Sequence, residues 1–249
     1  MILALAGGVG GAKLANGFAK SLSPDQLLIV VNTGDDFEHF GFPISPDLDT
    51  VTYTLAGMSN VTAGWGLAGE SWKFMNALER LGGEGWFRLG DQDLATHVMR
   101  AAWLSEGQNL SDVTARITKR LGILHSIVPM SDQQVRTVVE TEAGRMSFQI
   151  YFVREQCGPV IKNIYYEGAT KANPSQAFMS ALDREDVDAI VICPSNPLLS
   201  IAPILALREV RARLVAHNAP VVAVSPIIGG KAVKGPAAKI FKEIGLEAS

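Results

Sequence analysis

The chain has 249 residues, 47% of them hydrophobic, and a formal net charge of −3. That length allows one large or two small domains around a sizeable core, and the slightly acidic balance offers nothing to nucleic acid. No apolar run reaches membrane-spanning length, no basic region marks a signal peptide, and the two distant cysteines, Cys157 and Cys193, give neither metal spacing nor a disulfide framework, which suits a reducing cytoplasm.

Ile2 to Ala6 is a short apolar run, the pattern of a buried strand. The turn LAGGVGGAKL, Leu5 to Leu14, follows it, and Ala12 to Ser21 carries Leu14 and Phe18 at helical spacing. Strand, glycine turn and helix together suit a phosphate cradle. Gly7, Gly8, Gly10 and Gly11 let the backbone approach an anion and aim N–H groups at it. The helix N-terminus adds a partial charge, and Lys13 a full one. A tight connection without a ligand is the plainer reading, but it seldom needs four glycines. The turn misses the dinucleotide fingerprint, which wants glycine where Lys13 stands. The P-loop pattern fails too, because Ser225 takes its first glycine position ahead of Gly230-Lys231.

Leu27 to Val31 is a second buried strand, and strand–helix–strand predicts a parallel pair. It ends in Asn32-Thr33-Gly34-Asp35-Asp36. Ligands of such sheets sit beyond the carboxyl ends of the strands, where the glycine turn and the acidic pair both fall. Asp35 and Asp36 also suit a solvated turn; beside a phosphate cradle they are expected to face a metal. Ser45 and Pro46 then open a helix. Capping accounts for Asp47 in its first turn, while Asp49, two residues on, points elsewhere and can face the crevice.

Trp65 and Gly66 fall in a loop, and Glu70 to Leu81 is an amphipathic helix with Trp72, Met75 and Leu78 on its core stripe. Arg88 precedes the Leu89-Gly90 break, and Asp91 caps a helix holding His97 and Arg100. His97 reads as a buried, satisfied histidine, with no second histidine at ligand spacing. Leu110 to Leu121 is a further helix with Ser111 as its N-cap. Val135 to Glu140 and Met146 to Val153 form a hairpin around Ala143-Gly144, and Ile161 to Tyr166 adds a strand. The stretch from about 65 to 166 is thus a mixed insertion.

The α/β rhythm resumes with a helix at Pro174 to Leu182 and a strand at Ala189 to Cys193. Ser195 and Asn196 follow at that strand's end, on the ligand side. A long helix, Ile201 to Ala216, leads to a buried strand at Pro220 to Val224. The loop Ser225 to Lys239 then brings Lys231, Lys234 and Lys239, three glycines and a helix start at Pro236, which suits either a second phosphate or base contact or a flexible basic loop. The expected architecture is one α/β domain over 1–249: Rossmann-like, three-layered, with a mostly parallel central sheet and the mixed α+β insertion.

Taken together, LAGGVGGAKL, VNTGDD, ISPDLDTVTYTLAG, GWG, RLGDQDLATH, ILHSIVPMSD, PSNPLLSI and VSPIIGGKAVKGPAAK resemble the 2-phospho-L-lactate transferase family of deazaflavin coenzyme F-420 biosynthesis, in the family's order and over most of the chain. The resemblance implies transfer of a phospho-acid group to the ribityl hydroxyl of the deazaflavin FO. The donor would be a guanosine diphosphate ester of a lactyl, enolpyruvyl or glyceryl acid, and GMP would leave. It implies Mg²⁺ dependence and a cytoplasmic homodimer working on small molecules. It carries FO contacts to Asp49 and Arg88, and nucleotide and phosphate contacts to the glycine turn and the Ser195-Asn196 segment. Two departures stand out. Gln92 replaces the arginine of most relatives, and relatives continue past the GPAAK helix with a further strand and helix.

Phosphoryl transfer to an alcohol needs positioning and charge neutralisation. Mg²⁺ takes few carboxylates plus phosphate oxygens, which suits Asp35, Asp36 and Asp49. Asp49 and Asp36 are the candidate catalytic carboxylates, and Asp49 suits either proton acceptance or metal binding. A sugar-nucleotide type nucleotidyltransferase and a non-catalytic nucleotide-sugar-binding regulator are the rival readings. SPDLDT and RLGDQD favour the transferase. The products separate the three: GMP, pyrophosphate or none.

Overall fold

A computed structural model describes residues 1–233 and 235–247, so Lys234 of the basic loop lies outside the described residues. The chain runs β1 (Ile2–Ala6), α1 (Gly8–Ser21), β2 (Leu27–Val31), β3 (Phe37–His39), β4 (Phe42–Ile44), α2 (Pro46–Leu55), α3 (Lys73–Arg80), α4 (Asp91–Ser105), α5 (Leu110–Arg120) and β5 (Ser126–Pro129). It continues with β6 (Arg136–Thr141), β7 (Gly144–Ser147), β8 (Ile161–Glu167), α6 (Gln176–Leu182), β9 (Ala189–Ile192), α7 (Ala202–Leu205), α8 (Val210–Ala216), β10 (Val221–Ala223), the small pair β11 (Ile227–Ile228) and β12 (Lys231–Ala232), and α9 (Ala237–Glu243).

Five strands form the central sheet in the order β10-β9-β1-β2-β5, every pair parallel. Alternation along the strands splits the core into two layers. Leu3, Leu5, Leu28 and Val30 pack with Phe178, Leu182, Ile204, Val210 and Leu214 from α6, α7 and α8. Ala4, Ala6, Ile29 and Val31 pack on the other face with Ala12 and Ala15 of α1 and Leu48 and Val51 of α2. Alanine on that face lets α1 come close. The result is the expected three-layer α/β sandwich. No helix among the described residues is long and apolar enough to cross a membrane.

The differences from the sequence reading have local causes. α1 starts at Gly8, so the glycines form its first turn rather than a loop before it. β5, unforeseen, closes one edge of the sheet; it has only four residues and ends in Pro129, which an edge strand tolerates. It lies inside the 65–166 stretch, so that stretch is not set apart throughout. The strand expected to reach Val153 stops at Ser147, and a π-turn covers Ile150–Arg154. The remainder, β7-β6-β8, is an antiparallel sheet. The helix expected from Ile201 to Ala216 is broken. A π-turn over Pro197–Ile201 gives way to α7, and Glu209 takes a left-handed φ of 64° before α8. Pro197 and Pro203 cannot sit inside a continuous helix, so each starts a new turn. β10, expected to be buried, is instead an exposed edge, with Val221 and Val222 both facing solvent.

Two helix starts also differ. Asn109, not Ser111, caps α5, accepting from the Asp112 N–H at 2.7 Å. Asp91 is the first residue of α4 and caps α3 instead, accepting from the N–H groups of Lys73 and Phe74. Glu70 lies outside the helix expected to include it and accepts from Gln92 N and Asp93 N at the start of α4. The two helices are thus capped by acids from each other's approach.

Candidate active site

The carboxyl ends of β1, β2 and β9 bring together the glycine turn, the acidic segment and the Pro194–Ile201 loop. Close packing explains most of the glycines. A Cβ at Gly7 would lie 2.5 Å from Asp47 Oδ2, one at Gly10 would strike the Pro194 carbonyl, and one at Gly11 would strike the Ser195 hydroxyl. Gly8 alone needs a left-handed φ, 55°. Ser195 pins the turn: its hydroxyl donates to Gly7 O at 2.6 Å and accepts from Gly7 N at 3.1 Å. Asn196 caps the following turn through Leu198 N and Leu199 N. Both side chains expected on the nucleotide side are therefore committed to local structure. Lys13 is exposed on α1.

Asp47, assigned to capping from sequence, does something else. Its carboxylate is buried against the glycine turn and accepts from Asn32 Nδ2 at 3.0 Å. Burial pushes its carboxyl up to about 6, opposed by Asn32, the Gly8 N–H and the Ser200 hydroxyl. Asn32 ties the cluster together, since its Oδ1 also accepts from Gly34 N at 2.8 Å. Asp35 is buried beside it. Burial first, then the charges of Asp47 and Asp36, push the Asp35 carboxyl well above the carboxylate range. Asp36 accepts from the Ser45 hydroxyl at 2.7 Å, and burial raises it to about 8. Oδ1 of Asp35, Oδ1 of Asp36 and the Thr137 hydroxyl are all buried without a hydrogen-bond partner. Arg136 of β6 has its charge near Asp36, and among the described residues its guanidinium donates only to its neighbour's carbonyl, Val135 O at 2.8 Å.

Asp49 sits one step further along α2 in a different environment. The Arg100 guanidinium on α4 grips both its oxygens, Nη1 at 3.2 Å from Oδ2 and Nη2 against Oδ1. Arg100 Nη1 also donates to Pro43 O at 3.3 Å. His97 completes the contact, with Nδ1 3.2 Å from Arg100 Nη1 and Nε2 3.3 Å from Asp93 Oδ2. The Tyr53 hydroxyl donates to Asp93 Oδ1 at 2.6 Å. Burial works against the Asp93 charge, yet the His97 contact holds its carboxyl below the usual range. Ligand atoms of Asp49, Asp93 and His97 lie within 4.8 Å of one another, as in a metal site, but Arg100 already brings its positive charge to Asp49.

Arg88 lies apart from the acids. It is exposed, and its guanidinium stacks over the Trp72 ring at 4.5 Å. Trp65 faces Trp72 at 6.0 Å between ring centroids. Both tryptophans line a cleft that Glu70, Gly90 and Asp93 also border, so Asp93 touches the aromatic cleft and the Asp49 network at once. Gln92 binds Gly69 O at 3.2 Å at the same edge.

The carboxylates at the glycine turn suit a hard divalent cation. Three buried acids, two with an unpartnered oxygen, share the spot with no ion-paired base among the described residues. Asp49 suits it less, because Arg100 already engages both its oxygens.

The family described as 2-phospho-L-lactate transferase CofD matches residues 2–248. A phosphoenolpyruvate transferase from Kitasatospora aureofaciens is 41% identical over 100% of this chain and 78% of that protein. A 2-phospho-L-lactate transferase from Methanopyrus kandleri is 40% identical over 98% of this chain and 77% of its own length. A solved UPF0052 protein from Bacillus halodurans shares the fold, with a TM-score of 0.61 at 18% identity over 89% of this chain and 67% of its own. The chain belongs to the 2-phospho-L-lactate transferase CofD family and is a transferase of coenzyme F-420 biosynthesis.

Proposed function

We propose that the chain transfers a phospho-acid group from a guanosine diphosphate ester to the ribityl hydroxyl of the deazaflavin FO. The hydroxyl oxygen forms a bond to the phosphorus that carries the acid, the P–O bond to GMP breaks, and the hydroxyl proton passes to a carboxylate. The observation that carries this reading is the group of buried, unpaired carboxylates of Asp35 and Asp36 beside the glycine turn. Burial makes these carboxyls costly to ionise on their own, and a divalent cation would favour their charged form and neutralise a diphosphate beside them.

Asp35 and Asp36, with Asp47 adjoining, are the residues that would hold Mg²⁺. When bound there, it supplies charge neutralisation to a phosphoryl transfer. The N–H groups at the start of α1 face the donor's phosphates. Asp49, fixed by Arg100, sits nearer the aromatic cleft and orients the ribityl hydroxyl. Arg88, through its planar fork, and Trp72 offer the deazaflavin ring a polar edge and a flat face.

The test supplies FO, Mg²⁺ and each of the lactyl, enolpyruvyl and glyceryl donors in turn. GMP and a coupled deazaflavin are expected, and excess chelator should stop both. Release of pyrophosphate instead would assign a nucleotidyltransferase, and no turnover with any donor would leave a binding protein.

A further inference from the structure

Four side chains beyond Asp49 form a buried ring between α2 and α4. Tyr53 stands one helical turn after Asp49 on α2. Asp93, His97 and Arg100 share one face of α4 at spacings of four and three residues. The ring closes through Tyr53 to Asp93, Asp93 to His97, His97 to Arg100 and Arg100 to Asp49. His97 and Arg100 are almost fully buried, at 1% and 2% exposed. A guanidinium can only donate. Because Arg100 Nη1 faces His97 Nδ1 at 3.2 Å, that nitrogen accepts, while Nε2 lies 3.3 Å from Asp93 Oδ2 without forming a hydrogen bond there. Arg100 thus donates on one side to His97 and on the other to Asp49, and its fork holds the plane of the Asp49 carboxylate.

We infer that Arg100 is the positioning residue for the Asp49 carboxylate, with Asp93 and His97 orienting Arg100 in turn. The inference rests on the functional reading above, in which Asp49 meets the acceptor hydroxyl. A two-point guanidinium grip fixes both the position and the tilt of a carboxylate, which a single point charge cannot do. The fork uses one lone pair on each Asp49 oxygen and leaves the others for the incoming hydroxyl. The ring's charges reach the donor side only through Asp36, so a substitution that keeps the Arg100 charge should leave that side unchanged.

Arg100→Lys keeps the charge and loses the fork. It is expected to lower kcat by about 100-fold, the scale of a small misplacement of a reacting group. KM for the donor and GDP affinity should stay within about twofold of the wild-type values. Tyr53→Phe keeps the ring's volume and removes one hydroxyl on its far side, so it tests the same idea in a fold-safe variant. It is expected to lower kcat by about 2–10-fold, one net hydrogen bond expressed as a rate. FO binding, read from deazaflavin fluorescence, should weaken with kcat in both variants, while circular dichroism at the assay temperature stays that of the wild type. Wild-type kcat and FO affinity in both variants, with only the melting temperature lowered, would make the ring a structural tie and overturn the inference alone. A wild-type chain that neither binds nor converts FO would overturn the functional reading and this inference with it.

Discussion

Asp36→Asn should stabilise the protein above neutral pH and disable it at the same time. The Asp36 carboxyl is raised to about 8 by burial, against the opposing pull of the Ser45 hydroxyl and of the Arg136 and Arg100 charges. In the unfolded chain it ionises near 4. Between those values the native state holds one proton more than the unfolded state, so stability falls as pH rises, by about 1.4 kcal/mol per unit. The full window would amount to roughly 5 kcal/mol as an upper bound; Asp35 and Asp47 titrate in the same cluster and share it. Asparagine cannot ionise, yet it still accepts from Ser45. At pH 5 the variant and the wild type should differ little. At pH 9 the variant should be more stable by about 2–3 kcal/mol, or roughly 4–12 °C for a chain of this size. Mg²⁺ should raise the melting temperature of the wild type at pH 8, and raise that of the variant much less. Transferase activity should drop by at least about 100-fold. Calorimetric or urea unfolding from pH 5 to 9, with and without Mg²⁺, reads the result. A stability difference that does not grow with pH would refute the buried-charge argument, whatever the activity shows.

Other positions give sharper local tests. Gly10→Ala drives a methyl into the Pro194 carbonyl and should cost about 1–3 kcal/mol, whereas Gly17→Ala on the same helix meets nothing within 4 Å and should gain about 0.4–1 kcal/mol; equal melting shifts would discredit the packing account of the turn. Asn109→Ala removes the α5 cap and should lose about 1 kcal/mol by urea unfolding, with Ser111→Ala close to neutral. Arg136→Gln removes the half-buried guanidinium near Asp36 that makes no ion pair among the described residues; donor affinity should fall by about 10–100-fold, a charged hydrogen bond's worth, and titration with an unchanged Kd would confine Arg136 to balancing Asp36.

The scaffold was legible because it depends on signals that lie close together along the chain. Each of the runs at Ile2, Leu27 and Ala189 is continuous and apolar, and each ends in a turn rich in glycine or short polar residues. That pattern needs no tertiary knowledge to read as a parallel sheet with its ligand edge at those turns. Where the local signal is weak, sequence and structure part. β5 is too short to show a period, and β10 has the composition of a buried strand but lies at the sheet's edge, a matter of strand order that composition does not encode. Helix caps slipped for a related reason. Asp91 and Glu70 cap helices other than those they adjoin in sequence, and a local pattern assigns a cap to the nearest helix.

The site divides along the same line. Asp35 and Asp36 lie buried at the end of β2, where their place after that strand puts them, whereas Asp47, two positions before Asp49 and read from sequence as a cap, faces the glycine turn instead. Asp49, expected to face the ligand crevice, is gripped there by Arg100 from the facing helix, a partner that no local pattern around Asp49 announces. A helix rotates by about 100° per residue, so two positions send neighbouring acids to opposite partners, and only the placement of α4 and the Asn32 side chain decides which partner each meets. One signal could have exposed the network in advance. Asp93, His97 and Arg100 form a charged stripe at helical spacing on α4, and a stripe that ends up buried needs a partner of matching charge on a facing helix. Asp49 and Tyr53, themselves one turn apart on α2, are that partner.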